Sequence, residues 1–133
     1  MHGRSLDGVP AQLNHTIVHA TDPVASARFL TEILGLPAPV SFPPFQAVVT
    51  GNGASLDFID AGGEPFDTQH YSFLIADEEL PVIRERVLAR GLETWGDPGR
   101  RTPGELYQHN GGEGFYFCDP DGHFLEVQTR PYF

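Results

Sequence analysis

Two histidines and two carboxylates stand at matching places in the two halves of this chain. His15 opens the strand-like run Leu13-Asn14-His15-Thr16-Ile17-Val18-His19, and His70 opens Gln69-His70-Tyr71-Ser72-Phe73-Leu74-Ile75. Each run is followed by a capped amphipathic helix and then by strands, and each half ends in an inward-pointing carboxylate, Asp57 or Glu126. Two His and a Glu form the donor set of a catalytic divalent metal: neutral imidazoles, one charge-balancing oxygen, and positions left open for substrate.

These side chains need elements that aim them. The first half reads as a strand over about 12–20, a helix over 23–34 and short strands over 38–42, 45–50 and 54–60. Asp22 is the expected N-cap, Pro23 takes the first helical position and Gly35 ends the helix. Val24, Ala27, Leu30 and Leu34 form its apolar stripe. The second half reads as a strand over about 69–76, a helix over 79–90, a strand over 92–96, a Gly-rich hairpin, and strands over 114–118 and 123–130. Asp77 is the expected cap there, Leu80, Ile83 and Val87 the stripe, and Gly91 the stop. The expected architecture is α+β: two βαβββ modules, about 12–60 and 69–130, in one domain over 12–130 after a tail at 1–11. Their sheets are expected to curl into one open, metal-binding cup.

Strand parity sorts the faces, because successive residues point to opposite sides. Thr16, Val18, Leu56, Phe58, Tyr71, Phe73, Phe115, Phe117, Leu125 and Val127 fall on apolar faces suited to the helices. The opposite faces gather His15, Asp57, His70, Tyr116 and Glu126, with no lysine among them. Such a face reads as a polar cup. His19 shares a side with His15 but lies roughly 13 Å further along a strand, too far to bind the same ion.

Composition removes several classes of function. A formal net charge of −10 with only 8 Lys+Arg leaves no footprint for nucleic acid or an anionic membrane. No apolar run approaches the ~18 residues of a membrane span, and the first ten residues lack a signal-peptide core. The single cysteine, Cys118, allows no intrachain disulfide, so the expected compartment is the cytoplasm. Cys118 lies mid-strand with no cation beside it in sequence, and is read as core.

The chain resembles the vicinal oxygen chelate superfamily, which includes glyoxalase I, extradiol dioxygenases, fosfomycin-resistance thiol transferases and bleomycin-resistance proteins. The resemblance rests on Leu13-Asn14-His15-Thr16 leading to Thr21-Asp22-Pro23, on His70-Tyr71-Ser72-Phe73, and on Phe115-Tyr116-Phe117-Cys118-Asp119-Pro120-Asp121-Gly122-His123-Phe124-Leu125-Glu126. It implies that His15, His70 and Glu126 hold one divalent ion per site, drawn from Fe, Mn, Zn and Ni. It also implies a small substrate chelated through vicinal oxygens, a homodimer, and dioxygenase-like or lyase/isomerase chemistry. The other class of function is a small-molecule-binding or resistance protein, sequestering or thiol-transferase-like.

Further residues take roles from this resemblance. Asp57 falls where glyoxalase I carries a Glu; one methylene shorter, it is a ligand, a group orienting a histidine, or a base acting through water. Tyr116 stands ten residues before Glu126, where relatives place a phenol on a substrate oxygen; the plainer reading is a buried tyrosine. The segment 100–113 suits a loop over the cup, with Arg100, Arg101 and His109 as contacts to an anionic substrate, against a plain surface hairpin. No subfamily matches throughout: Ile17 replaces the thiol transferases' threonine, and Ser55 stands where extradiol enzymes place a histidine.

Overall fold

Both halves fold to the same plan in the computed structural model, which describes residues 8–133; the first seven residues of the expected tail lie outside them. The first module runs β1 (His15–Ala20), α1 (Pro23–Leu34), β2 (Val40–Phe42), β3 (Phe45–Val49) and β4 (Ser55–Asp60). The second runs β5 (His70–Leu74), α2 (Glu79–Ala89), β6 (Tyr107–His109), β7 (Gly112–Cys118) and β8 (Phe124–Gln128). Each module makes a four-stranded mixed sheet, ordered β1-β4-β3-β2 and β5-β8-β7-β6. In each, the first and last strands pair in parallel and the others antiparallel. This is the α+β fold expected of two βαβββ modules.

Local signals explain α1 better than α2. Asp22 accepts the Ala25 N–H at 3.1 Å, and Gly35 takes the left-handed turn (φ 70°) that glycine adopts without strain. Asp77, by contrast, does not cap α2. Its carboxylate is held by Arg130 at 2.8 and 3.1 Å, so the N-cap passes to Glu78, whose side chain makes no capping bond. Val24 is also not on the buried stripe of α1; it is 49% exposed, and Ser26, Phe29, Thr31 and Ile33 widen the buried face instead.

Two further elements differ from the sequence reading. Residues 92–96 form no strand, only a bridge from Trp95 to Pro103 and Tyr116. The fourth strand of the second sheet is β6, inside the segment read as a loop.

A single core joins the modules. Val18, Phe29, Leu30, Ile33, Val48, Phe58, Ile83, Val87, Phe115, Phe117, Leu125 and Val127 belong to one buried cluster. The Phe29 and Phe117 rings meet at 6.4 Å across the junction, and Arg86 of α2 donates to the Ile33 carbonyl of α1 at 3.0 Å. Each fully buried aromatic or aliphatic side chain contributes about 1.5–3 kcal/mol, so neither module keeps its stability without the other. Because the helices and inner sheet faces share this core, the polar face of each sheet looks outward. Ile17 and Leu74, on those outer faces, are 49% and 62% exposed.

Candidate metal centre

Cross-strand partners share a face, so the ladder registers define the outer face of the second sheet. Its rows are His70–Phe124–Cys118, Ser72–Glu126–Tyr116 and Leu74–Gln128–Gly114–Tyr107. His70 Nε2 and Glu126 Oε1 meet there at 3.2 Å. His70 Nδ1 faces the Phe124 carbonyl at 2.9 Å and must carry the ring proton to bond it. In the neutral ring, Nε2 then presents a lone pair to a carboxylate oxygen. Two acceptors face each other only with positive charge between them, supplied by a second ring proton or a metal ion. The donor set therefore fits a divalent cation, with the Phe124 carbonyl fixing the tautomer.

Glu126 is almost completely buried at 1% exposure, where a lone carboxylate is costly. Two phenols offset that cost. Tyr107 donates to Oε2, and Tyr132 donates to the same oxygen at 2.7 Å. Oε2 is thus occupied, and Oε1 is the oxygen left facing His70. Burial, with the carboxylate beside it, pushes the Tyr107 phenol far above the ordinary tyrosine range, so it stays a donor. Burial raises Tyr116 as well, next to Tyr132 and Glu126. Tyr116 is stacked on Phe124 (centroids 5.1 Å apart, planes at 11°) and lies 6.0 Å from the His70 ring. His109 meets Tyr132 edge-on at 5.0 Å, and so lines the same edge of the face.

Of the two arginines in the loop, Arg100 lies over this face. Its guanidinium carbon stands 4.8 Å from the Trp95 ring and 4.9 Å from the Phe124 ring, and its Nη2 lies 3.5 Å from Cys118 Sγ. Arg101 is exposed; its backbone N–H is bound by Asp97 in the turn. Cys118 thus has a cation beside it in space, though none in sequence. Burial nonetheless pushes its thiol up, against the lowering effect of Arg100, so it is no thiolate nucleophile.

The outer face of the first sheet carries the other histidine. Its rows are His15–Ser55–Val49, Ile17–Asp57–Ala47–Val40 and His19–Ile59–Phe45–Phe42. His15 is exposed and shares a 2.7 Å contact with Asn14, while Asp57 accepts the Ser55 hydroxyl at 2.8 Å. Within one chain, His15 and Asp57 do not join His70 and Glu126; among the described residues no three His, Cys, Asp or Glu side chains gather as a metal cluster. His19 stacks on Phe66 at 6.0 Å. His123 spends both nitrogens on structure: Nδ1 accepts the Gln69 N–H at 2.9 Å, and Nε2 donates to the His19 carbonyl at 2.8 Å, tying the modules together.

Comparison with known proteins gives the family and the fold. A family model described as "Glyoxalase/Bleomycin resistance protein/Dioxygenase superfamily" matches residues 12–127. The chain belongs to that superfamily. Its fold superposes on the oxidase ChaP-H1 with a TM-score of 0.89 at 55% identity, covering 92% of this chain and 98% of that one. The oxidase ChaP-H2 gives 0.88 at 48% identity, covering 92% and 95%. A glutathione transferase, FosA of Serratia marcescens, is 29% identical over 122 residues, 88% of this chain and 79% of its own length.

Three side chains of this superfamily member escaped the sequence reading. Tyr107, Tyr132 and Trp95 follow no spacing rule; the first two reach Glu126 from 19 and 6 residues away. One signal for Tyr107 was available. Gly114 faces it across the ladder, and a side chain there would overlap the tyrosine ring. A glycine inside a strand often marks such a close approach.

Proposed function

We propose that this chain is a divalent-metal-dependent, oxidase-like enzyme whose metal centre is completed by a second copy, with His70 and Glu126 from one chain and His15 from the other. The observation that carries this reading is the pair of facing acceptors, His70 Nε2 and buried Glu126 Oε1, which call for a cation. A divalent ion bound there would supply Lewis-acid polarisation of two vicinal substrate oxygens and, if redox-active, electron exchange with O₂. The chain's own residues do the rest. Tyr107 and Tyr132 hold one carboxylate oxygen and leave the other for the ion. The Phe124 carbonyl orients His70. Tyr116 presents a neutral phenol beside them, suited to hydrogen-bond a substrate oxygen.

Two observations support a second copy. His15 is exposed on an outer face that the described residues leave open. Around it stand exposed apolar residues of the same face: Ile17 at 49%, Val40 at 55%, Phe42 at 66% and Val49 at 40%. A patch of that kind marks a surface that another molecule covers. The two oxidases, more similar to this chain than the transferase is, favour oxygen chemistry over thiol transfer.

Mixing two defective chains tests the proposal. His15→Ala and Glu126→Ala should each purify with little metal. Co-refolded at equal amounts, they should regain about a quarter of the wild-type content, because half the dimers are mixed and each mixed dimer has one intact centre. Normal metal in either single variant would sink the ligand assignment. Absence of recovery in the mixture would sink the two-chain centre. Elemental analysis of wild-type protein purified without added ions identifies the metal.

A further inference from the structure

The Arg100 side chain is stacked on aromatic rings and pairs with no carboxylate among the described residues. The guanidinium carbon of Arg100 lies 4.8 Å from the Trp95 ring and 4.9 Å from the Phe124 ring. Its backbone takes the left-handed region at φ 58°, which a residue with a long side chain adopts at a cost in strain. The turn that imposes this conformation is firmly built. The Arg100 N–H bonds the Asp97 carbonyl at 3.2 Å, and Asp97 Oδ1 accepts from the Arg101 N–H, the Thr102 N–H and the Thr102 hydroxyl at 2.7–2.8 Å. The chain therefore invests in holding one guanidinium over aromatic rings, with its hydrogen-bonding edge uncommitted to any carboxylate.

Its place on the outer face gives that edge a purpose. Phe124, under Arg100, is stacked against Tyr116 and lies 5.9 Å from the His70 ring, so Arg100 stands one aromatic ring away from the proposed metal ligand. We propose that Arg100 binds an anionic group, a carboxylate or phenolate, on a substrate that meets the outer face between Arg100 and the exposed His70 ring. Nη2 gives one weak hydrogen bond to Cys118 Sγ at 3.5 Å, and the other N–H groups of the stacked guanidinium are left to donate to a carboxylate. This proposal deepens the metal-enzyme reading by naming a substrate class, and it rests on that reading for the substrate's second anchor.

The test uses Trp95, the single tryptophan of the chain. Its fluorescence reports binding beside Arg100 without any metal, so the outcome is independent of the metal reading. Chelator-treated full-length protein is titrated with benzoate and with its uncharged analogue benzamide, using the wild type, Arg100→Asn and Arg100→Lys. Asparagine tolerates the left-handed backbone, so Arg100→Asn removes the charge without endangering the turn. The wild type should bind benzoate at least about tenfold more tightly than benzamide, the effect of one charge-assisted hydrogen bond. Arg100→Asn should erase the preference and leave benzamide binding unchanged, and Arg100→Lys should keep only part of it. Equal affinities in the wild type, or a preference that survives Arg100→Asn, would overturn the proposal. So would weakened self-association in Arg100→Asn without any benzoate preference in the wild type, since Arg100 would then serve a chain–chain contact. Metal content, measured separately, should be the same in all three proteins; if the wild type holds none while the benzoate preference stands, the metal reading alone fails.

Discussion

The two modules share strand order and helix placement but dress their outer faces differently. In the first, α1 passes to β2 through residues 35–39, and the face it leaves bare carries His15, Ile17, His19 and Asp57 among apolar neighbours. In the second, residues 90–106 separate α2 from β6, and that longer connection brings Trp95 and Arg100 over the sheet. Pro131 and Tyr132 close the far side through Asn110 and Glu126. One module thus holds a prearranged pair of donors with its hydrogen bonds already assigned. The other presents two histidines, His15 and His19, four residues apart among exposed apolar side chains. The same fold carries one face with its donors paired and one with them apart, and the difference lies in one connection and a short tail.

The largest expected effect attacks what the modules have in common. Phe117 is fully buried and meets Phe29 across the junction. Phe117→Ala should cost about 3–5 kcal/mol and lower stability in one transition seen by Trp95 fluorescence and by circular dichroism together. Two separated transitions would show that the modules fold independently.

A smaller effect separates the halves. Gly114→Ala should push the Tyr107 ring off Glu126 and cost about 1–3 kcal/mol, the usual penalty of overpacking. It should also weaken metal binding, whereas Ala47→Val, in the Ile17–Asp57 row of the first sheet's outer face, should leave stability within about 0.5 kcal/mol of the wild type. Metal titration and urea denaturation of both variants provide the check.

The smallest effect appears in alkali, and only the second module should contribute. Three of the four tyrosines, Tyr71, Tyr107 and Tyr116, belong to it, and burial raises all three above the ordinary value of 10.0. The folded chain then holds protons that the unfolded chain releases. Their stabilising contribution is whole below pH 10 and is lost as pH rises above it. Urea midpoints from pH 8 to 11 should decline at the alkaline end, and Tyr107→Phe should flatten that decline.

Much of this comparison was legible from local pattern. Alternation assigned Val18, Phe115, Phe117, Leu125 and Val127 to the core and His15, His70 and Glu126 to the opposite faces, because a period of two is a property of the strand alone. Asp22, Pro23 and Gly35 bounded α1 for equally local reasons. Asp77 failed as a cap because Arg130, 53 residues away, holds its carboxylate. The strand at 107–109 was hidden because its residues are short of apolar content and are paired only along one edge. Arg100 and Arg101 are equivalent in sequence, and no local signal tells which of the two the turn lays over the Trp95 and Phe124 rings. Above all, parity fixes the face on which His15 stands, but not how two sheets turn about a shared core. That depends on packing such as Phe29 against Phe117, which no spacing within either strand encodes.

The outward-facing halves carry a genetic consequence. If each pair of chains builds two centres from four halves, a chain crippled at Glu126 spoils only the centre to which it brings that residue. The His15 it carries still completes the centre of an intact partner. A mixed population should therefore lose activity in simple proportion to the fraction of defective chains, so that a damaged copy is diluted by healthy ones and does not dominate them.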